Sequence, residues 1–187
     1  MAARHETDPE HLWHYSEDPA IERFVPHVPA TNPDQPPMVW TIDGEHAPLF
    51  WFPRDCPRIT FWADDGSPPD QLGATRATRV HAIEQGWLDR VRTCELWAYR
   101  FAADGFDPWP GADGYWVSGH ERTALDVAPA GDLLERHDER GIELRVMPDL
   151  RELRDQVIES GYRFSMCRMA NIRADISPAP DEGSGTG

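Results

Sequence analysis

Apolar and polar positions alternate in short bursts along most of this chain, and only a few stretches hold a helical period. The first burst is Leu12-Trp13-His14-Tyr15-Ser16, with Leu12 and His14 on one face and Trp13 and Tyr15 on the other, as in a strand. A turn at Pro19 leads to a second apolar group, Ile21, Phe24 and Pro26. Further strands are expected at Met38–Ile42, Pro57–Ala63, Thr78–Ile83, Cys94–Phe101, Tyr115–Ser118, Leu125–Ala128 and Ile142–Met147. Helices are expected at Asp43–Trp51, where Asp43 caps and His46, Leu49 and Phe50 recur at helical spacing, and at Gln85–Arg92, Asp132–Arg140 and Leu150–Ser160. Gly141 closes the third of these, whose alternating charges read as a solvated face. Phe164–Ile172 fits either strand or helix. Ala30–Pro37, Asp64–Pro69 and Phe106–Gly114 read as loops and turns. Many short strands with few helices in mixed order predict an α+β protein. Its core is a mixed, mostly antiparallel sheet with peripheral helices, not a doubly wound parallel fold.

Length sets one domain. Of 187 residues, 11–174 form the expected domain, flanked by a flexible N-terminus, 1–10, and a disordered polar tail, 175–187. Eight Trp and seven Phe supply ample core. No apolar run suits a signal peptide or a membrane span, so a cytoplasmic location is the expectation. The net charge of -15, with all 18 basic residues Arg, argues against nucleic acid as partner. It leaves room for a nucleotide cofactor, which needs only a local Arg. Three separated cysteines without CxxC indicate neither a disulfide framework nor a zinc knuckle. No Gly-rich phosphate loop is present.

Three segments carry candidate chemistry. His14 and Ser16, with Tyr15 between them, offer ring nitrogens and a hydroxyl suited to a ribose or amide. Alternatively, they are a satisfied pair at a strand end. Arg54 and Arg58 bracket the proline-bounded turn Pro53-Arg54-Asp55-Cys56-Pro57-Arg58 and could fork onto a pyrophosphate or carboxylate; turn capping is the other reading. Cys56 is a nucleophile candidate with no histidine close in sequence. Tyr115 to Ser118 ends an aromatic strand in a hydroxyl, and Glu121 comes next as a carboxylate able to steady a cation at a ribose carbon. The alternative is a hairpin whose polar residues face water. His11 and His14 point to opposite faces of a strand, and His46, His81 and His137 lack partners at ligand spacing, so no metal site is expected.

The opening block with Ile21, Phe24 and Pro26, the block Pro53–Phe61 and the strand Tyr115–Ser118 resemble a bacterial protein family of unknown function over about Leu12 to Ile172. More widely they resemble small ADP-ribosyltransferase-like domains, which implies a fold of that type and NAD as ligand. The resemblance places His14 and Ser16 on the nicotinamide ribose, Tyr115 against the nicotinamide and Arg54 on the pyrophosphate. His14 and Glu121 become the catalytic candidates, although no strand-Ser-Thr-Ser element is present and Glu121 is only the nearest counterpart of the catalytic Glu. Cofactor-binding candidates are His14, Tyr15, Ser16, Arg54, Arg58, Tyr115 and Ser118. The expected function is a domain that binds a nucleotide ligand, with ADP-ribosyl transfer or NAD hydrolysis as its chemistry and an unidentified acceptor. The alternatives are a non-catalytic interaction or small-molecule module on the same scaffold, and a different enzyme using His14 as acid or base.

Overall fold

The computed structural model describes residues 8–29, 33–63 and 75–172. Ten strands run in chain order: β1 (His11–Ser16), β2 (Val39–Ile42), β3 (Arg58–Trp62), β4 (Arg79–Glu84), β5 (Trp97–Ala102), β6 (Asp107–Pro108), β7 (Tyr115–Ser118), β8 (Asp126–Pro129), β9 (Glu143–Met147) and β10 (Arg163–Cys167). Three short helices accompany them: α1 (Leu88–Thr93), α2 (Leu133–Glu139) and α3 (Arg151–Glu159). The strands form two sheets, one in the order β6-β7-β2-β1-β5-β8 and one in the order β10-β3-β4-β9. Every pairing is antiparallel except β4 with β9. The protein is thus α+β and mostly antiparallel, with its core divided between two sheets.

Alternation decides which face each strand buries. Ile59 and Phe61 on β3, with Val80 and Ala82 on β4, pack under Leu153 and Val157 of α3. The opposite face of the same sheet carries Arg58 and Thr60, which sit across from Ile83 and His81. On the first sheet, Leu12 and Val39 join Phe24, Tyr99 and Phe101 in a separate cluster. Trp13, Ile42 and Ala98 occupy the other side. The segment after β1 is strapped over the Leu12 face. The Tyr99 hydroxyl donates to the Asp18 carbonyl at 2.6 Å and accepts from the Ile21 amide at 3.0 Å. Phe24 and Arg122 exchange backbone hydrogen bonds at 2.8 and 2.9 Å. Burying Phe24 there contributes about 2 to 3 kcal/mol.

Two expectations are corrected and one open stretch is resolved. Asp43–Trp51 is not a helix: only Ala47–Phe50 turns, as a 3-10 segment with a proline in its first positions. Asp43 instead closes a local turn, its Oδ1 accepting from the His46 amide at 2.8 Å and facing the His46 ring nitrogen at 2.9 Å. The ambiguous stretch Phe164–Ile172 resolves into β10, then a 3-10 turn at Met169–Asn171. Helix α2 forms within the expected Asp132–Arg140, and Asp132 caps it by accepting from the Leu134 and Glu135 amides. It is not simply a solvated face, because Arg136 and His137 are buried. The turn at Asp64–Pro69, the residues 30–32 of the expected loop, residues 1–7 and the tail from 173 lie outside the described residues.

The buried histidines of β4 and α2 form a pair that sequence spacing concealed. His81 Nδ1 and His137 Nε2 are 2.9 Å apart, and His137 Nδ1 lies 2.6 Å from the Leu133 carbonyl. A carbonyl only accepts, so His137 is protonated at Nδ1 and its bare Nε2 accepts from His81 Nδ1–H. Burial pushes both imidazoles below their ordinary value near 6.5, His81 well below, with the neighbouring ring adding to the shift on His81. The unfolded chain therefore binds more protons below about pH 6.5, and stability falls there by up to about 1.4 kcal/mol per pH unit for each ring. Denaturant unfolding should give a clearly lower midpoint at pH 5.5 than at pH 7.5. An unchanged midpoint would contradict the neutral pair.

Candidate ligand-binding cavity

Strands β1 and β2 are neighbours that part company. β1 pairs with β5 along its whole length, from His11–Ala102 to Ser16–Trp97. Against β2 it pairs only at Trp13–Ile42. Beyond that point β2 continues with β7 alone, Trp40 opposite Val117 and Val39 opposite Ser118. The gap is bridged by a side chain: His14 Nδ1 lies 3.0 Å from the Trp40 carbonyl. Phe24 packs edge-on against the same imidazole, with ring centroids 5.0 Å apart.

A cavity of about 520 Å³ opens at this divergence. Its walls come from β1 (Trp13 to Glu17), β2 (Trp40 to Ile42), Tyr115 of β7, and the loop residues His27, Pro29 and Gln35. From the second sheet and its approach come Phe50, Phe52, Arg54, Arg58, Met166, Cys167 and Arg168. The volume and the mixed aromatic and polar lining suit a small-molecule site. Gly114 sets the entry to β7 with a positive φ of 78°, where a Cβ would run into the His46 ring.

The local chemistry is set by what each group already does. The Trp40 carbonyl must accept, so His14 carries its proton on Nδ1 and leaves Nε2 as a bare acceptor. Burial lowers its pKa, and Arg54 and His27 push the same way, so the ring is neutral near pH 7. Ser16 Oγ accepts from the Asp18 amide at 3.1 Å and keeps its O–H to donate. Tyr115 packs on Phe50 and Trp40, with centroids 5.8 and 6.3 Å apart. Burial pushes its phenol to about 12, so it stays neutral. Arg58 is almost fully buried at 4% exposure. Its Nε donates to the Leu49 carbonyl at 2.9 Å and its Nη1 to the Cys56 carbonyl at 3.2 Å. Phe50 and Phe52 face the guanidinium at 5.7 and 5.3 Å. No carboxylate among the described residues pairs with it, whereas a desolvated charge ordinarily costs several kcal/mol without a counterion.

Six of the sequence candidates, His14, Tyr15, Ser16, Arg54, Arg58 and Tyr115, therefore line one cavity. Ser118 and Glu121 do not. Ser118 is buried, its Oγ accepting from Arg122 Nε at 2.8 Å. Glu121 is exposed and faces Arg23 at 3.5 Å. The carboxylate that does line the cavity is Glu17, which accepts from the Arg54 amide at 2.9 Å and pairs with Arg90. Glu17 stands in the opening motif, yet strand alternation gave no reason to single it out. Trp40, Cys167 and Arg168 were missed because only chain folding brings β2 and β10 to β1. Among the described residues no three His, Cys, Asp or Glu side chains gather in a metal-holding group, and no helix is long and apolar enough to cross a membrane.

An α+β fold of two sheets, with a ligand-sized, arginine-bearing cavity where β1 and β2 diverge, defines the class of this protein. A model of a family of unknown function, DUF6886, matches residues 13–172, and the chain belongs to that family. No curated protein and no solved structure matches.

Cysteine reactivity checks the site. Cys56 is fully buried, its thiol pushed by desolvation to about 12, so it does not serve as the nucleophile its Arg and Asp neighbours suggested. Cys94 is likewise buried and raised to about 11. Cys167 is partly accessible and lines the cavity. Brief iodoacetamide treatment of the folded protein at pH 7.5 should label Cys167 well before the other two, as read by peptide mass mapping. Equal labelling would mean that the cavity wall is not as described.

Proposed function

We propose that the cavity binds a nucleotide ligand of the NAD class, on an ADP-ribosyltransferase-like scaffold. The observation that carries this reading is the neutral His14 with its bare Nε2, beside Ser16 and opposite a set of arginines in an otherwise acidic protein. Nε2 accepts from one ribose hydroxyl and the Ser16 hydroxyl donates to another. Tyr115 offers a flat, neutral face for the nicotinamide. Arg54 and Arg58 take the pyrophosphate, where a guanidinium fork matches two oxygens. When bound, NAD would supply a glycosidic bond open to transfer or hydrolysis. The chain's own contribution would be to orient that bond and shield it from water.

A specific feature supports binding without turnover as an alternative. Glu17, the carboxylate in the cavity, is already engaged by Arg90 and the Arg54 amide, and Glu121 stands outside. A nucleotide-binding module without glycosyl transfer is therefore the second reading. Use of His14 as a base in another reaction is also compatible with its neutral ring.

Calorimetry with NAD, ADP-ribose and nicotinamide tests the reading. NAD should bind, and His14→Asn should weaken it about tenfold, because the amide can keep the link to the Trp40 carbonyl while removing the Nε2 acceptor. Thermal stability of that variant should stay close to wild type, whereas His14→Ala should lose both affinity and stability. Absence of heat with all three ligands in folded protein would overturn the proposal. Binding without consumption of NAD over hours would select the module over the enzyme.

A further inference from the structure

Cys167 of β10 and Arg58 of β3 stand directly opposite each other in their ladder, on the face turned away from α3. Residues so paired carry their Cβ atoms about 5 Å apart on the same side of the sheet. Arg58 is 4% exposed and lines the cavity. Its guanidinium donates to the Leu49 and Cys56 carbonyls, which leave its charge unneutralised. The remaining donors have no partner among the described residues. A buried cation in this condition is short of an anion. Oxidation of the facing thiol would create one in place.

The surroundings of Cys167 suit that chemistry. Cys56 and Cys94 are buried, whereas Cys167 is partly accessible and lines the cavity, so a small oxidant can reach it and not the others. Its Sγ lies 3.8 Å from Ser165 Oγ, and Ser165 shares a hydrogen bond with the Tyr115 phenol. The chain leaves β10 immediately afterwards through Arg168, the single non-glycine among the described residues with a positive φ, at 57°. Arg168 also lines the cavity, and its Nε donates to the Arg54 carbonyl at 3.0 Å, which fixes the end of β10. The thiol thus sits on an anchored strand end, with a hydroxyl on one side and an unneutralised guanidinium across the ladder.

We propose that Cys167 is a site of reversible oxidation by hydroperoxides, with Arg58 holding the oxygen anion that the reaction produces. The Cys167 sulfur attacks one oxygen of the hydroperoxide and the O–O bond breaks. Sulfur loses two electrons, and the departing oxygen gains them and takes up the thiol proton, leaving as water or an alcohol. Arg58 donors steady the negative charge on the departing oxygen, then hold the ionised sulfenic acid by a charge-assisted hydrogen bond. With the other two thiols buried, recovery falls to a low-molecular-weight thiol. It condenses with the sulfenic acid to a mixed disulfide and water, and a second such thiol displaces Cys167 and leaves as the symmetrical disulfide.

Hydrogen peroxide added to the reduced full chain at pH 7.5, with dimedone to trap sulfenic acid and peptide mass mapping to locate it, tests the proposal. The adduct should form on Cys167 and not on Cys56 or Cys94, and glutathione in place of dimedone should give a disulfide at Cys167 that excess glutathione removes. Cys167 in the folded protein should oxidise about tenfold faster than the same residue in the urea-unfolded chain, the scale of one charge-assisted hydrogen bond. A merely accessible cysteine would react faster once unfolded. Arg58→Gln should remove that advantage and Arg58→Lys should restore part of it; if these variants fail to fold, the ratio of folded to unfolded rates decides alone. No adduct at Cys167, a folded rate no higher than the unfolded one, or a rate in folded Arg58→Gln equal to wild type would overturn the proposal. It stands apart from the nucleotide reading. If Cys167 oxidises as described and no nucleotide binds, the redox site stands and the nucleotide reading falls; if NAD binds and no adduct forms, the reverse holds.

Discussion

The split between β1 and β2 is the constraint on which the rest of the site depends. Two strands that pair only at Trp13–Ile42 leave backbone groups unclaimed beyond that point. An orphaned carbonyl in a half-buried position costs about 1 to 3 kcal/mol. His14 supplies the missing donor to Trp40, so the split is stable without closing. That one contact spans the split beside the cavity and fixes the imidazole tautomer. Phe24 braces the ring because Tyr99 and Arg122 strap the segment after β1 across the sheet.

Electrostatics inside the cavity run against the molecule as a whole. The chain carries a large negative charge, yet its cavity gathers Arg54, Arg58 and Arg168. Such an inversion concentrates positive potential on a small region of an acidic protein. Elsewhere arginine serves packing. The Arg136 guanidinium lies 4.2 Å from the Trp51 ring centroid and donates to the Ala130 carbonyl at 2.9 Å. The absence of lysine fits both uses, since a planar guanidinium can stack and fork at once.

Burial also separates groups that look alike in sequence. Cys56 and Cys167 are both free thiols, but one is sealed beneath the Arg58 turn and the other lines the cavity. Burial keeps both His14 and His81 neutral, but one lines the cavity and the other sits in the core beside His137. Residue type set what each could do, and solvent access set which of them can meet a ligand.

Alternation alone determined most of the strands of this protein, because a period of two is a local property of the chain. It placed His14 and Ser16 on one face of β1, and the prolines and charges around Arg54 and Arg58 marked a rigid turn. The glycine at 141 likewise marked the end of α2, whose first turn Asp132 caps. Asp43 misled because its side chain closes a single turn as readily as it caps a helix, and Pro48 restricts the next residues to a 3-10 segment. Ser118 and Glu121 are near the aromatic strand in sequence, but Ser118 ends β7 with its hydroxyl on Arg122, and Glu121 lies past the strand facing Arg23. Only the tertiary structure could pair His81 with His137, set Arg168 beside Arg54, or bury Arg58 without a counterion. Those facts depend on which strands become neighbours across many residues, and that choice is made by packing two sheets against each other rather than by any local period.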